Sequence, residues 1–158
     1  MSTLTETTAD REIIISRLIN APRERVFAAW TDPQQVGHWW GPQGFTTTTT
    51  SMDVRPGGRW SYVMHGPDGT DYANLIVYSE VEAPARLVYA HGSGEDNDPG
   101  QFQTTVTFED VDGTTRLTMR SLFATAEARD YVVREFGAIE AGNSTLDQLE
   151  AYLAGGKD

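Results

Sequence analysis

Three histidines, no cysteine and a few tyrosines and carboxylates bound the chemistry open to this 158-residue chain. Without cysteine there is no thiolate nucleophile, no disulfide and no thiolate metal site. His38, His65 and His91 are too far apart in sequence to make a metal-ligand spacing, so neither a metal nor a cofactor is expected. Tyr89 and His91 stand two residues apart in the strand-like run Leu87 to His91, which puts both on one face. An imidazole beside a phenol at a pocket mouth can move protons; a hydrogen bond at a sheet edge accounts for the same pair. On an ideal continuous helix Glu135 projects near the middle of an apolar stripe, where an unpaired carboxylate is costly and its pKa rises, so that it could act as a general acid or base. A bend at Gly137 would turn it to solvent instead. The acidic run Glu95-Asp96-Asn97-Asp98 lacks the alternating ligand positions of an EF-hand and reads as a solvated loop. There is no G-x-S-x-G, no P-loop and no dinucleotide fingerprint.

The elements that would carry these residues follow from periodicity and punctuation. Residues 1–10 read as a frayed tail, and residues 11–156 as one domain. Glu12 to Asn20 carries a β-branched run typical of a strand. Pro22 suits the first position of a helix running to Thr31, and Asp32-Pro33 stops it and opens a second short helical piece with Val36, Trp39 and Trp40 on one face. After Gly41-Pro42 the texture turns to strands. They are the threonine run from Thr46 to Thr50, then Arg59–His65, Asp71–Val81, Leu87–His91, Phe102–Glu109 and Thr114–Leu122. The turns at 55–58, 66–69, 83–84 and 112–113 separate them, with a polar loop from Gly92 to Gly100. From an N-cap at Thr125 onward, Val132, Phe136, Ile139, Gly142, Leu146, Leu149 and Leu153 recur at spacings of three and four. That pattern predicts one long amphipathic helix, bent at Gly137 if anywhere. Tight turns between successive strands predict an antiparallel meander with one face to bury, and the C-terminal helix is its natural cover.

Composition narrows the partners. With 39% apolar and 22% charged residues the chain is expected to fold as a soluble globule. A net charge of −11 with scattered basic residues argues against nucleic acid and anionic membrane surfaces. No stretch is apolar enough to insert in a bilayer, and the polar N-terminus lacks a secretory h-region, so a cytoplasmic location is expected.

Several motifs in order resemble one family: Ala21-Pro22-Arg23-Glu24-Arg25-Val26-Phe27, Trp30-Thr31-Asp32-Pro33, Trp39-Trp40-Gly41-Pro42, Arg55-Pro56-Gly57-Gly58-Arg59-Trp60 and Gly137-Ala138-Ile139-Glu140. It is the bacterial group similar to the C-terminal domain of the heat-shock protein 90 ATPase activator, within the START-like, or SRPBCC, superfamily. The resemblance runs from about Arg11 to Ala154. It implies an α+β helix-grip fold, in which a curved antiparallel sheet of six to seven strands wraps a long C-terminal helix and two short helices follow the first strand. It implies no single function, since the fold hosts lipid carriers, hormone receptors and polyketide cyclases. The eukaryotic activator also has an N-terminal domain, where this chain has some ten residues. Stimulation of a heat-shock protein 90 homologue is therefore not expected.

Alternation places Trp60, Tyr62 and Met64 on the concave face, with Tyr89, His91, Phe102, Thr104, Ser121 and Phe123 beside them. Apolar walls with sparse polar groups are the usual lining of a small-molecule pocket; a packed core with tyrosine hydroxyls at its rim has the same composition. Gly142 sits mid-helix on the apolar stripe, where glycine costs ~1 kcal/mol relative to alanine. Either a ligand needs the space or helix and strand backbones pack closely there. In the first case Asn143 could offer its amide to the ligand. Three functions remain in play: a binder of a small apolar or amphipathic molecule, a cyclase or dehydratase moving protons with Tyr89, His91 or Glu135, and a protein-interaction module using Trp39-Trp40 as a surface patch, although tryptophans just before a Gly-Pro break could equally close the cavity mouth. Oligomeric state is not legible.

Overall fold

The computed structural model describes residues 11–41, 44–92, 102–136 and 138–154, the side chains of 135, 136 and 138 excepted. Its β-branched and aromatic runs become strands, as their fit to a pleated half-buried surface dictates. In chain order the elements are β1 (Glu12–Ile19), α1 (Arg23–Thr31), α2 (Pro33–Val36), β2 (Thr46–Met52), β3 (Arg59–His65), β4 (Asp71–Glu82), β5 (Arg86–Gly92), β6 (Phe102–Val111), β7 (Thr114–Phe123), α3 (Ala126–Phe136) and α4 (Ala138–Ala154). The strands form one antiparallel seven-stranded sheet in the order β1-β7-β6-β5-β4-β3-β2. The architecture is the α+β helix-grip arrangement, with both C-terminal helices against the β1–β7 side of the sheet. Among the described residues, no helix is long and apolar enough to cross a membrane.

Two local details depart from the periodicity. Pro22 is the N-cap of α1 rather than its first helical residue. The second short helix ends at Val36, so Trp39 and Trp40 lie in the turn beyond it, held by backbone hydrogen bonds from both residues to the Val36 carbonyl. Asp32 explains why α2 starts where it does: its carboxylate accepts the Gln34 amide at 2.9 Å, and Pro33 follows at the first position. Thr125 caps α3, its hydroxyl accepting the Ala128 amide at 3.0 Å. The side chain of Glu135 and the acidic run 95–98, both singled out for chemistry, lie outside the described residues.

The sheet's alternation sorts its two faces. Trp60, Tyr62, Leu87, Tyr89, Thr104, Val106, Phe108, Leu117 and Phe123 are buried on the concave side. Bulges at Thr50 in β2 and Ser79 in β4 shift the register there by one residue. The β2–β3 turn is stitched to β4: Gly57 N–H donates to Tyr78 O at 2.8 Å and Tyr78 N–H to Gly58 O at 3.0 Å. On the other flank Arg17 of β1 reaches α4, donating to Asp147 at 2.6 Å, Glu150 at 2.9 Å and Asn143 Oδ1 at 3.0 Å.

Two stability tests follow. A Cβ at Gly58 would lie 2.0 Å from the Asp53 carbonyl oxygen, whereas one at Gly57 meets nothing within 4 Å but sits at φ +84°. Gly57→Ala should cost about 1 kcal/mol of left-handed backbone strain. Gly58→Ala, which must push a backbone apart, should cost at least ~2 kcal/mol more. Equal losses in urea unfolding would mean the turn relaxes freely. Arg17→Ala should cost about 1–2 kcal/mol, with much of that loss gone in concentrated salt, because two of its partners are exposed carboxylates. A salt-independent loss would assign the effect to packing of the arginine stem.

Candidate functional site

Four tryptophans mark out the interior. Trp30 of α1 packs edge-to-face on Trp39 at 4.9 Å and on Phe108 of β6 at 5.8 Å between ring centroids. Trp40 packs edge-to-face on Trp60 of β3 at 4.9 Å, and Trp60 stacks on Tyr62 at 4.2 Å. Each such pair contributes about 0.5–1.5 kcal/mol beyond the area it buries. Hydroxyls and carbonyls complete the cluster. Trp39 Nε1–H donates to Ala29 O at 3.0 Å, Trp60 Nε1–H to Thr49 Oγ1 at 3.1 Å, and the Thr47 hydroxyl to Trp40 O at 3.0 Å. Trp39 and Trp40 are 1% and 7% exposed, so the surface patch expected from them does not exist. They are core, and the side of Trp40 facing away from Trp60 forms a wall.

Beyond that wall lies a partly open pocket of about 230 Å3 between the sheet and the C-terminal helices. Its floor is made of two cross-strand rows that the register sets side by side. Tyr89, Thr104, Ser121 and Ile13 face one another across β5, β6, β7 and β1; His91, Phe102 and Phe123 do so across β5, β6 and β7. Val132 of α3 and Ala141, Gly142 and Thr145 of α4 roof it; Trp40, Gly41 and Met64 close one end. None of the described lining residues is Asp, Glu, Lys or Arg.

Of the residues read from the sequence as ligand-binding, Met64, Tyr89, His91, Phe102, Thr104, Ser121, Phe123 and Gly142 line this pocket. Trp60 and Tyr62 do not. They face inward as expected, but Trp40, arriving from the loop before β2, lies between them and the space. Asn143 is also misplaced by the sequence reading. Its Oδ1 accepts from Arg17 and its Nδ2 donates to Ile139 O at 3.1 Å, so both ends of its amide are engaged outside the pocket. Gly142 faces both the pocket and β1. It lines the pocket, and a Cβ there would come within 2.6 Å of Ile15 Cδ1, the end of a flexible side chain that can move aside.

His91 is fixed by residues the sequence did not single out. Its Nε2 lies 2.9 Å from Tyr62 Oη and 3.2 Å from Asn74 Oδ1. Asn74 in turn donates from Nδ2 to Tyr72 O at 3.0 Å, which turns its oxygen toward the imidazole and places a proton on Nε2. Inward parity along β4, from Ile76 and Tyr78 back to Asn74, was the available signal. Burial pushes the Tyr62 phenol far above its ordinary pKa, and the neighbouring Tyr89 and Tyr78 add to this. Burial does the same to Tyr89, partly offset by hydrogen bonding with Trp30 and Thr104. Both phenols therefore stay protonated and do not serve as bases. The Thr104 and Ser121 hydroxyls lie 3.1 Å apart. Of the other histidines, His65 bridges Thr48 and Asp71 on the outer face at 2.8 Å each, and His38 stacks on Tyr152. Among the described residues no three His, Asp or Glu side chains converge as metal ligands would.

This frame is shared with solved bacterial proteins. A crystal structure from Mycobacterium smegmatis is similar at 30% identity and TM-score 0.83, covering 96% of each chain. A solution structure from Arthrobacter aurescens matches at 28% identity and TM-score 0.84, covering 95% of this chain and 90% of its own. A protein from Nitrosomonas europaea, at 24% identity and TM-score 0.83, shares the fold over 97% of this chain and 100% of its own. No curated protein matches. The family model described as Activator of Hsp90 ATPase homolog 1-like protein matches residues 20–154, a span that takes in the tryptophan wall, α4 and both pocket rows except Ile13. By that match, which covers most of the sequence, the chain belongs to the Activator of Hsp90 ATPase homolog 1-like family.

Proposed function

We propose that this protein binds a small, largely apolar molecule between the sheet and α4. The observation that carries the reading is the pocket itself, a space of about 230 Å3 walled by apolar side chains, beside a tryptophan cluster that fills the rest of the concave face. Apolar walls with a few convergent polar groups are what small-molecule sites offer. Since a dry apolar cavity of about 150 Å3 holds benzene, this one suits a body of roughly nine or ten heavy atoms.

Naphthalene is a fitting probe. Calorimetric titration should show saturable binding with a negative heat-capacity change, the mark of apolar burial. Gly142→Leu should abolish it. The new side chain and the displaced Ile15 methyl both enter the pocket, while leucine restores about 0.7 kcal/mol of helix propensity. The melting temperature should therefore stay within ~3 °C of the parent. A parent that binds no naphthalene, together with a variant that melts far lower through overpacking, would show that the space is closed in solution.

A further inference from the structure

The outer face of the sheet carries three side chains in a relay that the pocket does not use. Thr48 of β2, His65 of β3 and Asp71 of β4 lie on adjacent strands. His65 is directly opposite Asp71 in the β3–β4 register and opposite Thr46 in the β2–β3 register, and Thr48 is two residues along β2 from Thr46. Even spacing keeps all three on one face. The imidazole is held at both nitrogens: Nδ1 lies 2.8 Å from Asp71 Oδ1, and Nε2 lies 2.8 Å from Thr48 Oγ1.

The first contact fixes the direction of the second. A carboxylate only accepts, so the Nδ1 proton points at Asp71. In the neutral imidazole the lone pair is then on Nε2, and the Thr48 hydroxyl donates to it. Hydroxyl, imidazole and carboxylate thus stand in the order and polarity by which a base activates an alcohol for attack on an acyl carbon.

The relay is open to a reactant. The His65 and Asp71 side chains are 38% and 64% exposed, and Thr48 is exposed. These three side chains offer a nucleophile and a base but no spare N–H to hold an oxyanion. The acyl donor must therefore bring its own activation, a leaving group that departs without being protonated. Charge narrows the class. With −11 on the chain and Asp71 at the site, acyl phosphates and other anionic donors are repelled, and an uncharged aryl ester is not.

We infer that Thr48 is an acylation site, whose hydroxyl takes the acyl group of an uncharged activated ester with His65 as general base and Asp71 orienting the imidazole. Thr48 Oγ1 bonds to the acyl carbon as its proton passes to His65 Nε2. The tetrahedral adduct then collapses: the bond to the aryloxide breaks, the aryloxide leaves with the electron pair, and the imidazolium gives its proton to solvent. What remains is an ester of Thr48.

The threonine run supplies its own control, since Thr46 and Thr48 are both exposed on that face and His65 Nε2 is hydrogen-bonded to Thr48. The full chain is treated with para-nitrophenyl acetate at mildly alkaline pH and the acetyl groups are located by peptide mass. Thr48 should be acetylated about a hundredfold faster than Thr46, the lower end of what a positioned general base contributes. Alkaline hydroxylamine should remove the label from Thr48, an ester, and spare any on Lys157, the chain's one lysine, where it is an amide. Thr48→Ser, which keeps the hydroxyl, should label at least as fast. His65→Gln should bring Thr48 down to the rate of Thr46. Asp71→Asn should cost at least about tenfold, because its amide can donate to Nδ1 and shift the imidazole proton to Nε2. Each variant should melt within ~3 °C of the parent, as surface substitutions do. A Thr48 labelled no faster than Thr46 in the parent, or a fast Thr48 that survives His65→Gln, would overturn the inference.

Discussion

A curved sheet of seven strands has a wider concave face than its C-terminal helix can cover. Strands about 4.8 Å apart make a sheet roughly 30 Å across, while a helix with its side chains is about 10–12 Å in diameter. Here α3 and α4 lie along the β1–β7 flank, so the β3–β5 side must be buried by something else. Every feature of the interior is a response to that shortfall. Four tryptophans and their aromatic neighbours fill one part of the uncovered face, and the remaining part is the pocket.

The tryptophan cluster depends on the segment between β1 and β2. α1 delivers Trp30, and the turn after α2 delivers Trp39 and Trp40. Large rings at edge-to-face geometry fill volume with few rotatable bonds, which suits a wedge that must hold its shape beside an empty space. Trp40 serves both sides of the boundary, with Trp60 against one side and the pocket against the other. This dual role explains why alternation along β3 assigned Trp60 and Tyr62 to the concave face and yet misjudged their surroundings. A strand's parity says which face a residue occupies, but not what a distant loop lays over it.

The same distinction runs through the rest of the sequence reading. Along β5, β6 and β7 parity was sufficient, because the register puts Tyr89 opposite Thr104 and Thr104 opposite Ser121 with no bulge between. In β2 and β4 a bulge interrupts the period, but Asn74, the partner that orients His91, lies before the β4 bulge in phase with Ile76 and Tyr78 and was passed over although parity reaches it. On α4 the spacing of three and four located Leu146, Leu149 and Leu153, all buried, but could not fix the exact angular position of Asn143. One residue from Gly142 is a rotation of about 100°. That turns the amide from the pocket to Arg17, a cation on β1 whose pairing with α4 no local pattern reveals.

Thr104 and Ser121 show how far packing alone can account for the interior. Threonine and valine have nearly the same shape, so the 104 position could be filled with an apolar side chain at no cost in volume. A hydroxyl there is tolerated only because Ser121 meets it, and a hydrogen-bonded hydroxyl pair adds little net stability over apolar groups of the same shape. Elsewhere buried hydroxyls have plain structural uses: Thr115 donates to the Ala21 carbonyl at 2.7 Å and ties the end of β1 to β7. The Thr104–Ser121 pair ties together two strands that their backbone ladder already joins. Its distinguishing property is therefore position. It places exchangeable protons on the floor of a part of the concave face that neither helices nor tryptophans fill.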